Sequence, residues 1–352
     1  MAEKIMVKGN EAMAEAAIRA GCRLYFGYPI TPQSEFTEYM ARRMRQVSGV
    51  FLQSESEVAA VNMVYGAACT GHRVMTSTSS PGFSLMQEGV SYIAGARLPT
   101  VFVNVVRGGP GLGDIQPAQS DYFQSTKGGG HGDYHMIVLA PGSIQEAVDL
   151  MESAFNLADI YRVPVMMLAD GMLGQMMEPV VFPDFVELEG INDHSSWALR
   201  GTEGREPHKV TSFDIDPVRL EEMNTVVHKG YEEIKAKEVR FETSDLEDAE
   251  YALVGYGTMG RILGSVVKIA RKQGIKVGLF RPISLWPFPY AELKAATKGK
   301  KFCLDVEMST GQMVEDVRLS VEGALPVHFY GRTGGMVPTP DEVLRELVRL
   351  IG

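Results

Sequence analysis

The chain has 352 residues, 45% hydrophobic and 22% charged, which excludes a disordered or collagen-like polymer and provides length for about two globular domains. A formal net charge of −10 argues against nucleic acid or an anionic membrane as the main partner, because both need a basic surface. No stretch approaches the roughly 20 apolar residues that span a bilayer, and the N-terminal segment has no secretory apolar run, so a soluble cytoplasmic protein is expected.

Up to about residue 185 the pattern alternates helix and strand. "EAMAEAAIRAGC" reads as a helix with Asn10 as N-cap and Gly21 as its stop, followed by the apolar run "RLYFGYP". A helix from Pro32, a strand "GVFLQS", a helix from Glu55 to Gly71 and a strand "RVMTSTSS" come next. A helix near Gly82, a strand "PTVFVNVVR", a long Gly-rich loop, a helix "SIQEAVDLMESAFNLADIYR" and a strand "PVMMLAD" complete this part. Apolar strands separated by helices predict a parallel sheet covered on both faces. From 186 to 245 the rhythm is lost and a linker is expected, with one helix in "DPVRLEEMNTVVHKGYEEIKAKE". The rhythm resumes from "EYALVGYG" onward, so residues 246–352 are expected to form a second, smaller α/β domain.

Parallel sheets bind ligands beyond the carboxyl ends of their strands, so chemistry is expected in the loops that follow strands. In "GYPITP", Thr31 stands where an N-cap belongs and Pro32 where the first helical residue belongs. In "LQSESEVAAV", Glu55 and Glu57 fall near a first helical turn, where a carboxylate is favoured whatever its role. Glu57 is followed by Val58, Ala59 and Ala60, and a carboxyl group in apolar surroundings either shifts its pKa or meets a specific partner. "STSSPGFS" is a further hydroxyl-rich strand end. Arg107 ends a strand beside Gly108 and Gly109, at the head of a loop of the length that usually serves function, and its guanidinium is shaped for a carboxylate.

Other patterns are weaker. Gly255, Gly257 and Gly260 satisfy GxGxxG after a strand, but Arg281 and Pro282 stand where the ribose-binding acid belongs. "ADGMLGQ" with Asn192 is similar to a magnesium-diphosphate motif, yet Ala169 and Asp193 replace its expected residues. His131 and His135 lack a third ligand nearby, so no metal site is expected. Cys22, Cys69 and Cys303 are far apart with no CxxC, so any electron carrier must come from another chain.

At "YPITP", "QSESEVAAVNMVYGAACTG", "STSSPGFSLMQEG" and "VVRGGPGLG", in this order, the chain resembles the α subunit of the 2-oxoacid:ferredoxin oxidoreductases. The run "GGPGLGDIQPAQSDYFQSTKGGGHGDYH" resembles the branched-chain, 2-oxoisovalerate type, and the resemblance covers nearly the whole chain. It implies a parallel-sheet, thiamine-diphosphate pyrimidine-binding domain over 1–185, a linker over 186–245, and a domain similar to the transketolase C-terminal domain over 246–352. It also implies that thiamine diphosphate is shared between subunits. Tyr28, Pro29, Ile30, Thr31 and Glu57 would hold the aminopyrimidine, while a β subunit holds the diphosphate and Mg2+. Glu57 would act as the catalytic acid–base at pyrimidine N1′, so that the exocyclic nitrogen can take the proton from thiazolium C2. Thr31, Arg107 and Leu112 would meet the 2-oxoacid. The [4Fe-4S] clusters, the γ subunit, the ferredoxin-like δ subunit, ferredoxin and coenzyme A would complete the system. The same resemblance leaves 2-oxoglutarate and pyruvate as alternative substrates. An NADP-dependent enzyme and a non-catalytic scaffold subunit are more remote readings.

Members acting on 2-oxoglutarate often read "RGGPSTG", whereas Gly111 and Leu112 stand here in place of the polar pair. An apolar side chain at that point suits a branched tail, since each buried methylene gains about 0.8 kcal/mol and an unpaired buried polar group costs about 1–3 kcal/mol. The purified complex is therefore expected to turn over 2-oxoisovalerate faster than 2-oxoglutarate; the reverse preference in steady-state assays refutes this reading of Leu112.

Overall fold

The computed structural model describes residues 4–187 and 194–352. A seven-stranded sheet organises the first half, in the order β12–β6–β7–β5–β4–β2–β3. Its inner strands β4 (Val74–Thr78), β5 (Thr100–Val106) and β7 (Pro164–Asp170) are buried at every position, which is why β5 and β7 read as near-continuous rather than alternating apolar runs, while β4 ends in the hydroxyl residues Thr76, Ser77 and Thr78. β2 (Leu24–Gly27) and β3 (Val50–Gln53) extend it on one side, and β6 (Ile137–Leu139) and β12 (Ser284–Trp286) on the other. All neighbours run parallel except β12, which lies antiparallel to β6.

Helices α1 (Gly9–Arg19), α2 (Ser34–Arg43) and α6 (Ile144–Tyr161) pack as one group, and α3 (Glu57–Ala68) and α4 (Ser80–Gly95) as another. A short helix α5 (Tyr122–Thr126) interrupts the Gly-rich loop. Beyond β7, a one-turn helix α7 (Gly171–Gln175) leads to β8 (Met177–Val180), which pairs antiparallel with β1 (Ile5–Lys8). Asn10 is not the cap of α1. It lies inside the helix, fully buried, and its amide donates to Pro32 O (2.8 Å), a tertiary bond that no local rule could foresee.

The long helix α8 (Pro217–Lys237), capped by Asp216, falls where one was expected. The expected linker also ends in a strand, β9 (Phe241–Ser244), that belongs to the second sheet. That sheet runs β14–β13–β10–β11–β9, with β10 (Tyr251–Val254), β11 (Val277–Pro282), β13 (Phe302–Glu307) and β14 (Val327–Gly331) parallel and β9 antiparallel at its edge. Helices α9 (Gly257–Lys272), α10 (Tyr290–Thr297), α11 (Met313–Val321) and α12 (Pro340–Ile351) complete it. Strand β12 leaves this half to join the first sheet, so the two halves share a hydrogen-bonded ladder. Among the described residues, no helix is long and apolar enough to cross a membrane.

At the start of β4, Arg73 ties three elements together. It donates to Asp159 Oδ2 (2.8 Å) and Asn156 Oδ1 (2.6 Å) on α6 and to Ala20 O (2.6 Å) after α1, while His194 contacts the other Asp159 oxygen at 3.3 Å. Removing one partner of so buried a pair leaves an uncompensated charge. Arg73→Met is expected to lower stability by about 3 kcal/mol, read as a lower thermal unfolding midpoint; Arg73→Met with Asp159→Leu should recover part of it.

Candidate active site at the strand ends

The loop after β2 carries Tyr28, Pro29, Ile30 and Thr31, of which Tyr28, Pro29 and Thr31 are exposed. Behind it lies a buried polar cluster. Tyr25 OH meets Ser77 Oγ (2.7 Å), and Ser77 Oγ donates to Gln33 Oε1 (2.6 Å); burial pushes the Tyr25 phenol up to about 12. Thr31 does not cap α2, nor does Pro32 open it. The helix begins at Ser34, after Gln33, because the Pro32 carbonyl is taken by Asn10 Nδ2 and by Gln175 Nε2 (2.7 Å) instead of the helical ladder. Fixed in this way, the loop leaves Thr31 at the surface.

Glu57 follows the true N-cap of α3, Ser56, whose hydroxyl accepts from Ala59 N (3.2 Å). Glu55, expected in the helix, lies outside it and exposed. The Glu57 side chain points inward and is only 5% exposed, yet among the described residues it has no hydrogen-bond partner. Gly82, in the first turn of α4, permits this placement: a Cβ there would stand 2.5 Å from Glu57 Oε1 and 2.1 Å from Thr78 Oγ1. The hydroxyls of Thr76, Thr78 and Ser79 along the same strand end, and Gln33 Nε2, are likewise buried without partners. Buried polar groups are ordinarily bonded, so these orphans mark the end of β4 as a place that internal packing alone leaves unsatisfied.

Arg107, 6% exposed, follows β5 and pairs with Pro117 in an isolated bridge that closes the base of the next loop. Its Nη1 donates to Thr31 O (2.9 Å) and its Nη2 to Leu112 O (3.0 Å), while Nε is buried without a partner. The structure thus brings Thr31, Arg107 and Leu112 together through backbone carbonyls, with the Leu112 side chain 82% exposed. Glu57 stands at the adjacent corner. Ser80 links the two: its hydroxyl accepts from Arg107 N (3.1 Å) two residues before Gly82 touches Glu57.

A cleft of about 690 Å³ opens beside this corner, walled by Ser80, Gly109 and Asp121 from the first half and by Met308, Thr310 and Thr333 from the second. Asp121 was not foreseen. Burial pushes its carboxyl up, and it accepts from Asn104 Nδ2 (2.9 Å), whose Oδ1 accepts from Ser80 N (2.9 Å). The one legible signal was Asn104 itself, the polar residue in the buried run "PTVFVNVVR".

The weaker motifs have structural explanations. Gly260 lies where a Cβ would come 2.4 Å from Arg281 Cδ, and Arg281 binds Glu146 (2.8 and 2.9 Å) and Glu242 (2.6 Å), so this glycine of the GxGxxG run accommodates an ion-paired arginine between the halves, while a Cβ at Gly255 would come 2.6 Å from Leu263 Cδ1. Asp170 caps α7 by accepting from Met172 N and Leu173 N; the Asn192 and Asp193 of that motif lie outside the described residues. His135 stacks on Trp286 at 4.5 Å, and burial lowers its pKa to about 4.

Residues 15–241 match the family described as pyruvate flavodoxin/ferredoxin oxidoreductase, thiamine diphosphate-binding, and residues 249–343 match pyruvate:ferredoxin oxidoreductase core domain II. The chain is 49% identical to the ketoisovalerate oxidoreductase subunit VorB of Methanothermobacter marburgensis, over 99% of this chain and 98% of that one. The solved 2-oxoglutarate:ferredoxin oxidoreductase of Magnetococcus marinus superposes with a TM-score of 0.89 at 26% identity, covering 100% of this chain and 66% of that one. A split-gene transketolase shares the fold alone, with a TM-score of 0.62 at 14% identity over 97% of each chain. The chain belongs to the 2-oxoacid:ferredoxin oxidoreductase family.

The Glu57 carboxylate has no donor among the described residues, so its oxygens are of the right chemistry to accept from a protonated ring nitrogen such as that of a pyrimidine. Gly82→Ala is expected to displace the Glu57 carboxylate and to reduce thiamine-dependent turnover by at least about tenfold. Gly264→Ala, where a Cβ meets open space, should leave turnover unaltered; equal rates for both variants contradict the role given to the Gly82 contact.

Proposed function

We propose that this chain is the α subunit of a thiamine-diphosphate-dependent 2-oxoacid:ferredoxin oxidoreductase. It oxidatively decarboxylates branched-chain 2-oxoacids such as 2-oxoisovalerate, with coenzyme A as acyl acceptor and ferredoxin as electron acceptor. The observation that carries this reading is Glu57, a buried carboxylate without a partner at the end of a parallel sheet. Its anion is suited to hold a proton at pyrimidine N1′. Tyr28, Pro29, Ile30 and Thr31 form the wall against which the aminopyrimidine rests, on a loop made stiff by the Gln33–Ser77–Tyr25 cluster. Thiamine diphosphate, when bound, supplies the carbon nucleophile and the electron sink for decarboxylation.

Arg107 binds the 2-oxoacid carboxylate through the guanidinium Nη N–H groups not engaged by carbonyls. Thr31 OH orients the 2-oxo group. Leu112, projecting from the loop, offers the branched tail an apolar contact. The 49% identity to a ketoisovalerate subunit, against 36% to a 2-oxoglutarate synthase subunit, favours this substrate class. Cys22, Cys69 and Cys303 are each buried and unpaired, which leaves the [4Fe-4S] clusters to γ and ferredoxin-like δ subunits and the diphosphate with its Mg2+ to a β subunit, in a cytoplasmic complex.

In the assembled complex, Glu57→Gln is expected to retain thiamine diphosphate while slowing deuterium exchange at its thiazolium C2 by about 100-fold or more. Exchange at the parental rate, followed by NMR after acid quench, removes Glu57 from this role.

A further inference from the structure

The loop that begins at Arg107 is closed at its base by the Arg107–Pro117 bridge, and two residues beyond Pro117 lies Gln119, 2% exposed. All four of its polar groups bond to the second half of the chain. Gln119 N donates to Met308 O (2.8 Å), and Met308 N donates to Gln119 Oε1 (3.1 Å). Gln119 Nε2 donates to Tyr256 O (2.9 Å), and Tyr256 OH donates to Gln119 O (3.1 Å). The same seam continues past it. Gln312 Nε2 donates to Ser120 O (2.7 Å), Phe123 N donates to Gln312 Oε1 (2.8 Å), and Asp316 accepts from Tyr122 OH and Lys127 Nζ, each at 2.5 Å. Asp121, inside this stretch, reaches back through Asn104 and Ser80 to the backbone of Arg107.

A guanidinium must be held to within a fraction of an ångström to meet a carboxylate in two-point fashion, and a residue whose every polar group is satisfied by two buried neighbours fixes the backbone on either side. From this geometry we infer that Gln119 is a positioning residue for 2-oxoacid binding: it locks the base of the Arg107 loop to Met308 and Tyr256, so the second half aims the guanidinium without touching the substrate. The inference rests on the reading of Arg107 as the substrate grip.

The test uses the purified complex. Gln119→Met preserves side-chain length and the backbone bonds but deletes both side-chain bonds. It is expected to raise KM for the 2-oxoacid about tenfold, with kcat within about threefold and thiamine diphosphate affinity within about twofold. Tyr256→Phe, which removes only the bond to Gln119 O, should move KM in the same direction by a smaller factor; it decides the question by the same criterion if Gln119→Met does not assemble. A KM within about twofold of the parent, or a rise matched by an equal loss of cofactor affinity, overturns the inference. Arg107→Lys separates the two levels. If it raises KM while Gln119→Met does not, this inference alone fails; if it too leaves KM unmoved, the reading of Arg107 fails.

Discussion

A carboxylate side chain packed inward against a second helix, with no hydrogen-bond partner among the described residues, is the constraint on which this site depends. Glu57 sits in the first turn of α3, where the helix dipole favours an anion by about 0.3–2 kcal/mol. Ser56 starts the helix at that point, and the missing side chain of Gly82 lets α4 begin against the carboxylate. What the protein leaves unsatisfied, a bound heterocycle with an accessible ring nitrogen can satisfy, and the unpaired hydroxyls of Thr76, Thr78 and Ser79 surround the same strand end.

The remainder of the site is built from backbone carbonyls rather than from charge pairs. Arg107 grips Thr31 O and Leu112 O, so one side chain couples the loop after β2 to the loop after β5. Pro32 O, held by Asn10 and Gln175, anchors the first of these loops to α1 and α7. These bonds fix main-chain positions while leaving the Thr31 and Leu112 side chains outward. Rigid backbone with projecting side chains is the arrangement in which a change of side chain alters what is bound without altering the frame.

The amino-acid pattern made the repeating α/β frame legible, because β5 and β7 are buried on both faces and therefore appear as near-continuous apolar runs. It also pointed to the strand ends, and Glu57 is buried there as its apolar neighbours suggested. Local rules failed where distant partners decide. Asn10 looked like a cap and is a tertiary donor; Thr31 and Pro32 looked like a helix start and form a turn whose carbonyls belong to Arg107, Asn10 and Gln175. Strands β1, β6, β8 and β12 are three or four residues long, too short to display a period, and three of them owe their existence to antiparallel partners far away in the chain. Gln119 and Asp316 carried no signal at all, since their meaning lies in bonds that cross about half of the sequence.

The three residues of β12 bind the fate of the second half to the first. They run along β6, whose outer backbone groups would otherwise face solvent and invite another chain to add itself there. A gene cut between the two α/β units would thus yield one piece with a bare, adhesive margin and another trailing a strand with nowhere to lie.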